Sequence, residues 1–236
     1  MRRKLIIAGA VLLLVILLLY GFMRFINLRS FQLFGGITDH VETSEKVVAI
    51  TFDDGPTKQV DPILDILSKF DARATFFVIG HELKDNMEEA RKIVNAGHQM
   101  GNHSYSHERF IFQSRSYVQR EIEETNKLIR EAGYADEIDF RPPYGKKLFS
   151  LPRYLHEHDI QTIMWSLEPD TSYTGAADKI KAVEEGIRPG AIILLHPMYD
   201  TSGQELLALE GILEMLSRQG YRFVTVNELQ EYANHH

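Results

Sequence analysis

Four short runs of this chain carry side chains that could do chemistry. The run TFDDGP at residues 51–56 sets Asp53 beside Asp54. Two adjacent carboxylates raise each other's pKa unless something divides their roles, and a metal does so by taking one as ligand and leaving the other as a base. The alternative for this run is a plain Asp-Gly-Pro turn. The run HSYSH at 103–107 spaces His103 and His107 four apart. On a helical backbone both imidazoles fall on one face and reach one metal; otherwise they are exposed histidines of a polar loop. In RPPYG at 141–145 two prolines fix the backbone, which suits holding a main-chain N–H or a cation in place, or simply makes a rigid surface turn. Arg141 is then able to pair with a carboxylate such as Asp53. The run LLHP at 194–197 ends an apolar stretch on His196, a packed core histidine or a general acid. Two histidines and a carboxylate with positions left for water make a hydrolytic metal site rather than a structural one. The chain has no cysteine, which excludes disulfides, thiolate metal sites and a thiol nucleophile. The available chemistry is that of oxygen and imidazole.

These runs need a scaffold that gathers them. Short β-branched or aromatic segments alternate with amphipathic ones: strands are expected at 46–52, 73–79, 98–100, 138–140, 161–165, 191–195 and 222–224. Helices are expected at 60–70, 83–96, 116–132, 152–158, 176–187 and 205–219, several closed by glycine (Gly97, Gly133, Gly220). Seven rounds of alternation predict an α/β fold with a parallel sheet and helices outside, open or closed into a barrel. In such sheets active sites form beyond the C-terminal ends of the strands. All four chemical runs follow expected strand ends, which unrelated surface turns would not do.

Composition bounds the rest. With 236 residues, 44% hydrophobic and 25% charged, the chain is of globular type, and the length suits one domain. Before residue 30 the charges are all basic (Arg2, Arg3, Lys4, Arg24, Arg29); from residue 30 onward 21 basic side chains face 33 acidic ones, a net −12. So acidic a domain is a poor partner for nucleic acid, and nothing in the sequence specifies a protein partner. Residues 5–23 carry no charge; as a helix they span about 28 Å at ~1.5 Å per residue, the thickness of a bilayer core. With Arg2, Arg3 and Lys4 in front, residues 1–4 are expected in the cytoplasm and the remainder outside it. No small-x-small site follows the apolar run, so an uncleaved single-pass anchor is expected over a cleaved signal peptide. Residues 24–45 then read as a juxtamembrane linker and 46–233 as the catalytic domain.

TFDDGP, HSYSH, RPPYG and LLHP, in this order, resemble the polysaccharide deacetylases, the NodB-homology domain of carbohydrate esterase family four. The resemblance covers about residues 46–230. It implies a distorted (β/α) barrel preceded here by one transmembrane helix. It also implies a divalent metal, most often Zn²⁺ with Co²⁺, Mn²⁺ or Ni²⁺ as possible substitutes, bound by Asp54, His103 and His107. By the same resemblance Asp53 is the general base, His196 the general acid and Arg141 the group that orients Asp53. Ser104 braces the histidine loop, the Tyr144 N–H serves the oxyanion, and Leu194 walls the acetyl methyl. The family's Asp-Trp pair after the strand ending at Trp165 is replaced by Ser166-Leu167-Glu168-Pro169-Asp170-Thr171-Ser172-Tyr173. Asp170 is matched to the carboxylate that tunes the catalytic histidine, and Trp165 and Tyr173 to the aromatics of the groove. The implied substrate is an N-acetylated glycan, peptidoglycan or a chitin-like oligomer, met in the cell envelope.

Overall fold

The computed structural model describes residues 2–26 and 28–234. The expected α/β alternation is present. Strands β1 (Ile37–Thr38), β2 (Val47–Asp53), β3 (Ala74–Val78), β4 (Gln99–Asn102), β5 (Thr162–Ile163), β6 (Ile192–Leu195) and β7 (Arg222–Phe223) are joined by helices. These are α1 (Arg2–Ile26), α2 (Val60–Lys69), α3 (Gly80–Asp85), α4 (Met87–Asn95), α5 (Arg115–Glu131), α6 (Ser150–Glu157), α7 (Ala176–Gly186), α8 (Gln204–Arg218) and α9 (Val226–Glu231).

The sheet is parallel, ordered β4-β3-β2-β6, with β7 beside the start of β2. Phe140 bridges Asn102 on one side and Thr162 on the other, β5 pairs with β1, and Leu167 bridges Ile193 of β6. The pairings therefore lead from β2 through β3, β4, Phe140 and the segment 162–167 back to β6 and β2.

All seven residues of β2 are buried, as befits a strand covered on both faces. Their side chains alternate. Val48, Ile50 and Phe52 join the large core under the helices, with Phe76, Ile193 and Leu195. Val47 and Ala49 join a second cluster with Phe77, Ile192, Leu194 and Trp165. Continuing that second parity puts Thr51 and Asp53 above an apolar floor, at the C-terminal end of the strand. Truncating Phe52 to Ala would remove a ring from the first core at about 3–5 kcal/mol.

Three expectations change in detail. No strand forms at 138–140; Phe140 alone bridges its neighbours, because the loop needs only one paired residue to pass between β4 and β5. The helix expected at 83–96 is two helices, broken at Asn86, whose φ/ψ of −127°/44° is non-helical. The stretch 24–45 packs into the domain: β1 extends the sheet, His40 bridges Ala191, and Ile26 and Val41 are buried. Helix α1 is long and apolar enough to cross a membrane.

Candidate active site

Asp53 closes β2, His103 follows β4, Arg141 follows the bridging Phe140, and His196 follows β6. All four strand-end runs converge. Arg141 is fully buried; its Nη1 donates to Asp53 Oδ1 at 2.7 Å and to Thr51 Oγ1 at 2.8 Å, and its Nη2 to the Met164 carbonyl at 3.1 Å. The guanidinium lies 4.0 Å from the centre of the Phe77 ring. Gly101 makes room for that ring, since a Cβ there would sit 2.4 Å from it. Burial works against ionised Asp53, but Arg141, His103 and His196 outweigh it and hold the carboxyl below its ordinary range.

Asp54, His103 and His107 each offer one ligand atom, all within 4.8 Å of one another. His103 Nδ1 donates to the Arg141 carbonyl at 2.8 Å, which turns its Nε2 toward both carboxylates, 3.5 Å from Asp53 Oδ2 and 3.9 Å from Asp54 Oδ1. His107 Nε2 lies 3.3 Å from the same oxygen. Burial and the neighbouring His103 push the His107 pKa down, so it is neutral, as a ligand must be. Asp54 Oδ1 is buried without a hydrogen-bond partner. An orphaned carboxylate oxygen beside two imidazole nitrogens fits a divalent cation.

The loop that brings the histidines together is not the helical turn their spacing allowed. Ser104 and His107 are left-handed, at φ 67° and 58°, and the His107 N–H donates to Ser104 Oγ at 3.0 Å. Asp54 and Tyr144 are left-handed too, at φ 73° and 57°. Four of the seven non-glycine residues with positive φ among the described residues thus sit in this one site. Such conformations each cost about 1–3 kcal/mol and mark functional positions.

Two supports lie outside the four sequence runs. Glu121, buried on α5, accepts from the N–H groups of Tyr105 and Ser106 at 3.0 and 2.8 Å. A carboxylate within the buried row Val118, Ile122 and Ile129 was the sequence signal for it. Lys179, buried on α7, pairs with Asp170 Oδ1 at 3.1 Å and also reaches Glu205 of α8.

Asp170 Oδ2 accepts from the His196 main-chain N–H at 2.8 Å and lies 3.3 Å from its Nδ1. Burial opposes the His196 charge, but Asp170, Asp53 and Asp54 push its pKa up to about 9. The ring is therefore a proton donor at neutral pH. The Tyr144 ring is exposed and packs 4.8 Å from that of His107. Trp165 is mostly buried, its Nε1 donating to Glu168 Oε2 at 2.8 Å, and Leu194 lies in the same core cluster. Tyr173 is exposed beyond the Pro169–Thr171 turn, hydrogen-bonded through its main chain to Pro169.

A buried carboxylate held ionised, an imidazole held protonated and three convergent side chains able to hold a metal, all at the ends of parallel strands, suit a hydrolase. The family model for polysaccharide deacetylase matches residues 40–163. The chain is 35% identical over 204 residues to a peptidoglycan-N-acetylglucosamine deacetylase of Bacillus cereus, covering 85% of this chain and 95% of that protein. It is 35% identical over 189 residues to the peptidoglycan-N-acetylglucosamine deacetylase of Listeria monocytogenes, where it spans 79% of itself but only 39% of the longer relative. The crystal structure of a Bacillus anthracis pseudoenzyme of carbohydrate esterase family four superposes with a TM-score of 0.74 at 30% identity, over 84% of this chain and 69% of that one. The chain belongs to the polysaccharide deacetylase family, carbohydrate esterases that act on N-acetyl amide bonds.

Proposed function

We propose that this protein is a metal-dependent deacetylase of N-acetylglucosamine residues in an envelope glycan, most simply peptidoglycan. Its catalytic domain, residues 46–233, is a distorted (β/α) barrel held outside the cytoplasm by a transmembrane anchor at 5–23, with residues 24–45 between them. The observation that carries the reading is the placement of buried, ionised Asp53 beside Asp54, His103 and His107, with His196 facing them. The two deacetylase relatives support the substrate class.

Asp54, His103 and His107 would hold the ion, Zn²⁺ being the best match for two imidazoles and a carboxylate. When bound, it supplies Lewis acidity that makes water nucleophilic at neutral pH. Asp53, aimed by Arg141, takes the proton of the attacking water as the new C–O bond forms at the acetyl carbonyl. The Tyr144 N–H, on its left-handed turn, donates to the developing oxyanion. His196, held by Asp170, gives a proton to the sugar nitrogen as the C–N bond breaks, releasing acetate and the free amine. Leu194, Trp165 and Tyr173 complete the apolar and aromatic surroundings of the acetyl group and sugar.

The test is acetate release by the purified chain with added Zn²⁺, from N-acetylglucosamine oligomers and from peptidoglycan. Release from both that stops with chelator and with Asp53→Asn is the expected result, with preference for the wall polymer. Faster release from short chitin-like oligomers would move the substrate to those, and release only from O-acetylated xylan would make it an ester hydrolase. A folded, metal-loaded protein inert on all of them would sink the reading.

A further inference from the structure

Two cations, Arg24 and Arg29, follow the apolar run on the side where a membrane anchor ordinarily carries few basic residues. The structure gives them a place. The chain leaving α1 turns back onto the rim of the active site: Ile26 is buried, and Lys147 Nζ donates to the Leu28 carbonyl at 2.9 Å. Arg29 then lies over Trp165, 5.4 Å from the ring centre, with its Nη1 3.8 Å from Glu168 Oε2. Glu168 is itself fixed by the Trp165 indole at 2.8 Å. Between this segment and the catalytic loops runs a cleft of about 840 Å³, lined by Arg24, Arg29, Lys146, Tyr144, Trp165 and Glu168 among others. Tyr144 connects it directly to His107.

The charge of the cleft is opposite to that of the domain. Three cations against Glu168 leave it at +2, in a protein whose residues from 30 onward sum to −12. Neutral sugars stack on aromatics and need no such field; a cationic strip beside an aromatic platform suits a glycan bearing an anion. We propose that Arg24 and Arg29, carried by the juxtamembrane segment, form a subsite for the carboxylate of a sugar next to the one being deacetylated. The anchor is then one wall of the binding cleft as well as a tether. This rests on the deacetylase reading above and names the substrate feature that the site selects. Lipid phosphates would also attract arginines, but Arg29 is turned toward Trp165 and Glu168 and held there, which a headgroup contact does not require.

The experiment uses the full chain in nanodiscs of neutral lipid and two forms of peptide-stripped glycan strands: one with free lactyl carboxylates, the other with those carboxylates amidated. Binding and deacetylation are both measured for wild type, Arg29→Ala, Arg29→Lys and the Arg24→Ala/Arg29→Ala double variant. Arg29→Ala is expected to weaken binding and raise KM for the carboxylated strand by about tenfold, one charge-assisted contact, with kcat far less affected. The loss on the amidated strand should be at least severalfold smaller, Arg29→Lys should recover part of it, and the double variant should exceed the single. Equal losses on the two strands, or none, would overturn the subsite. So would a loss confined to attachment to vesicles of anionic lipid, which would make the arginines headgroup contacts. Wild type that deacetylates neither strand removes the deacetylase reading itself, whereas wild type active on both with indifferent arginine variants removes only the subsite.

Discussion

Arg141 Nη1 lies 2.7 Å from Asp53 Oδ1, and neither side chain is appreciably exposed. A buried carboxylate without this partner would take up a proton. The pair therefore sets the charge of Asp53 as well as its aim. Asp53→Asn should keep the fold and the metal but lose turnover by about a hundredfold or more, as for loss of a general base. Arg141→Met should act through the same group: with the counter-charge gone, the Asp53 pKa rises and the acid limb of the pH–rate profile moves to higher pH. A pH profile unchanged in shape, with only its height reduced, would mean that Arg141 does not govern the ionisation of Asp53.

The proposed metal donors make a separate prediction. Asp54 Oδ1 has no hydrogen-bond partner and faces Nε2 of both His103 and His107. His103→Ala and His107→Ala should each lower bound metal by tenfold or more at equal protein concentration, measured by elemental analysis of the purified chain. Wild type should itself release metal on acidification, because imidazoles that gain protons cease to be ligands. Metal content indifferent to either substitution would place the ion elsewhere.

How much of this was legible beforehand depended on whether local sequence carried the cause. The β2 strand and its Asp53-Asp54 end stand out because a run buried on both faces must be apolar, so polar residues at its end are conspicuous. Helices α5 and α8 were equally plain from their spacing. The left-handed Ser104 and His107 were not: what holds them is Glu121, seventeen residues beyond Ser104 and on another element. Phe140 likewise keeps its pairing through two neighbours far away in the chain, which no local run of strand formers announces. Lys179 reads as an ordinary helix lysine until α7 is packed beside α8, and the docking of Arg29 on Trp165 exists only in three dimensions.

Asp170 offers a test through pH. It accepts from the His196 main chain and faces Nδ1 at 3.3 Å, and is the leading influence raising His196 to about 9 against the effect of burial. A general acid works only while protonated, so wild-type turnover should fall on the alkaline side as His196 loses its proton. Asp170→Asn keeps the main-chain acceptor but removes the charge. The alkaline limb should then move to lower pH, and turnover at pH 8 should drop by about tenfold or more. An alkaline limb that stays in place would assign it to another group.

Asp139 makes a prediction about stability rather than turnover. It is buried beside Gln99 at the start of β4, the end of the strands away from the chemistry, with Gln99 and Gln230 donating to Oδ2 at 3.4 and 3.2 Å. Burial, reinforced by Glu137 and only partly offset by those amides, raises its pKa to about 7 from an ordinary 3.8. The folded chain thus holds a proton that the unfolded chain releases at much lower pH. The resulting contribution to stability is whole below about 4, declines as pH rises toward 7, and is gone above it. Asp139→Asn removes this titration while keeping a carbonyl for the two glutamines. The difference in Tm, variant minus wild type, should increase between pH 4.5 and 7 and stay level from 7 to 8.5. A difference independent of pH would show that Asp139 ionises in the folded protein as it does in the unfolded one.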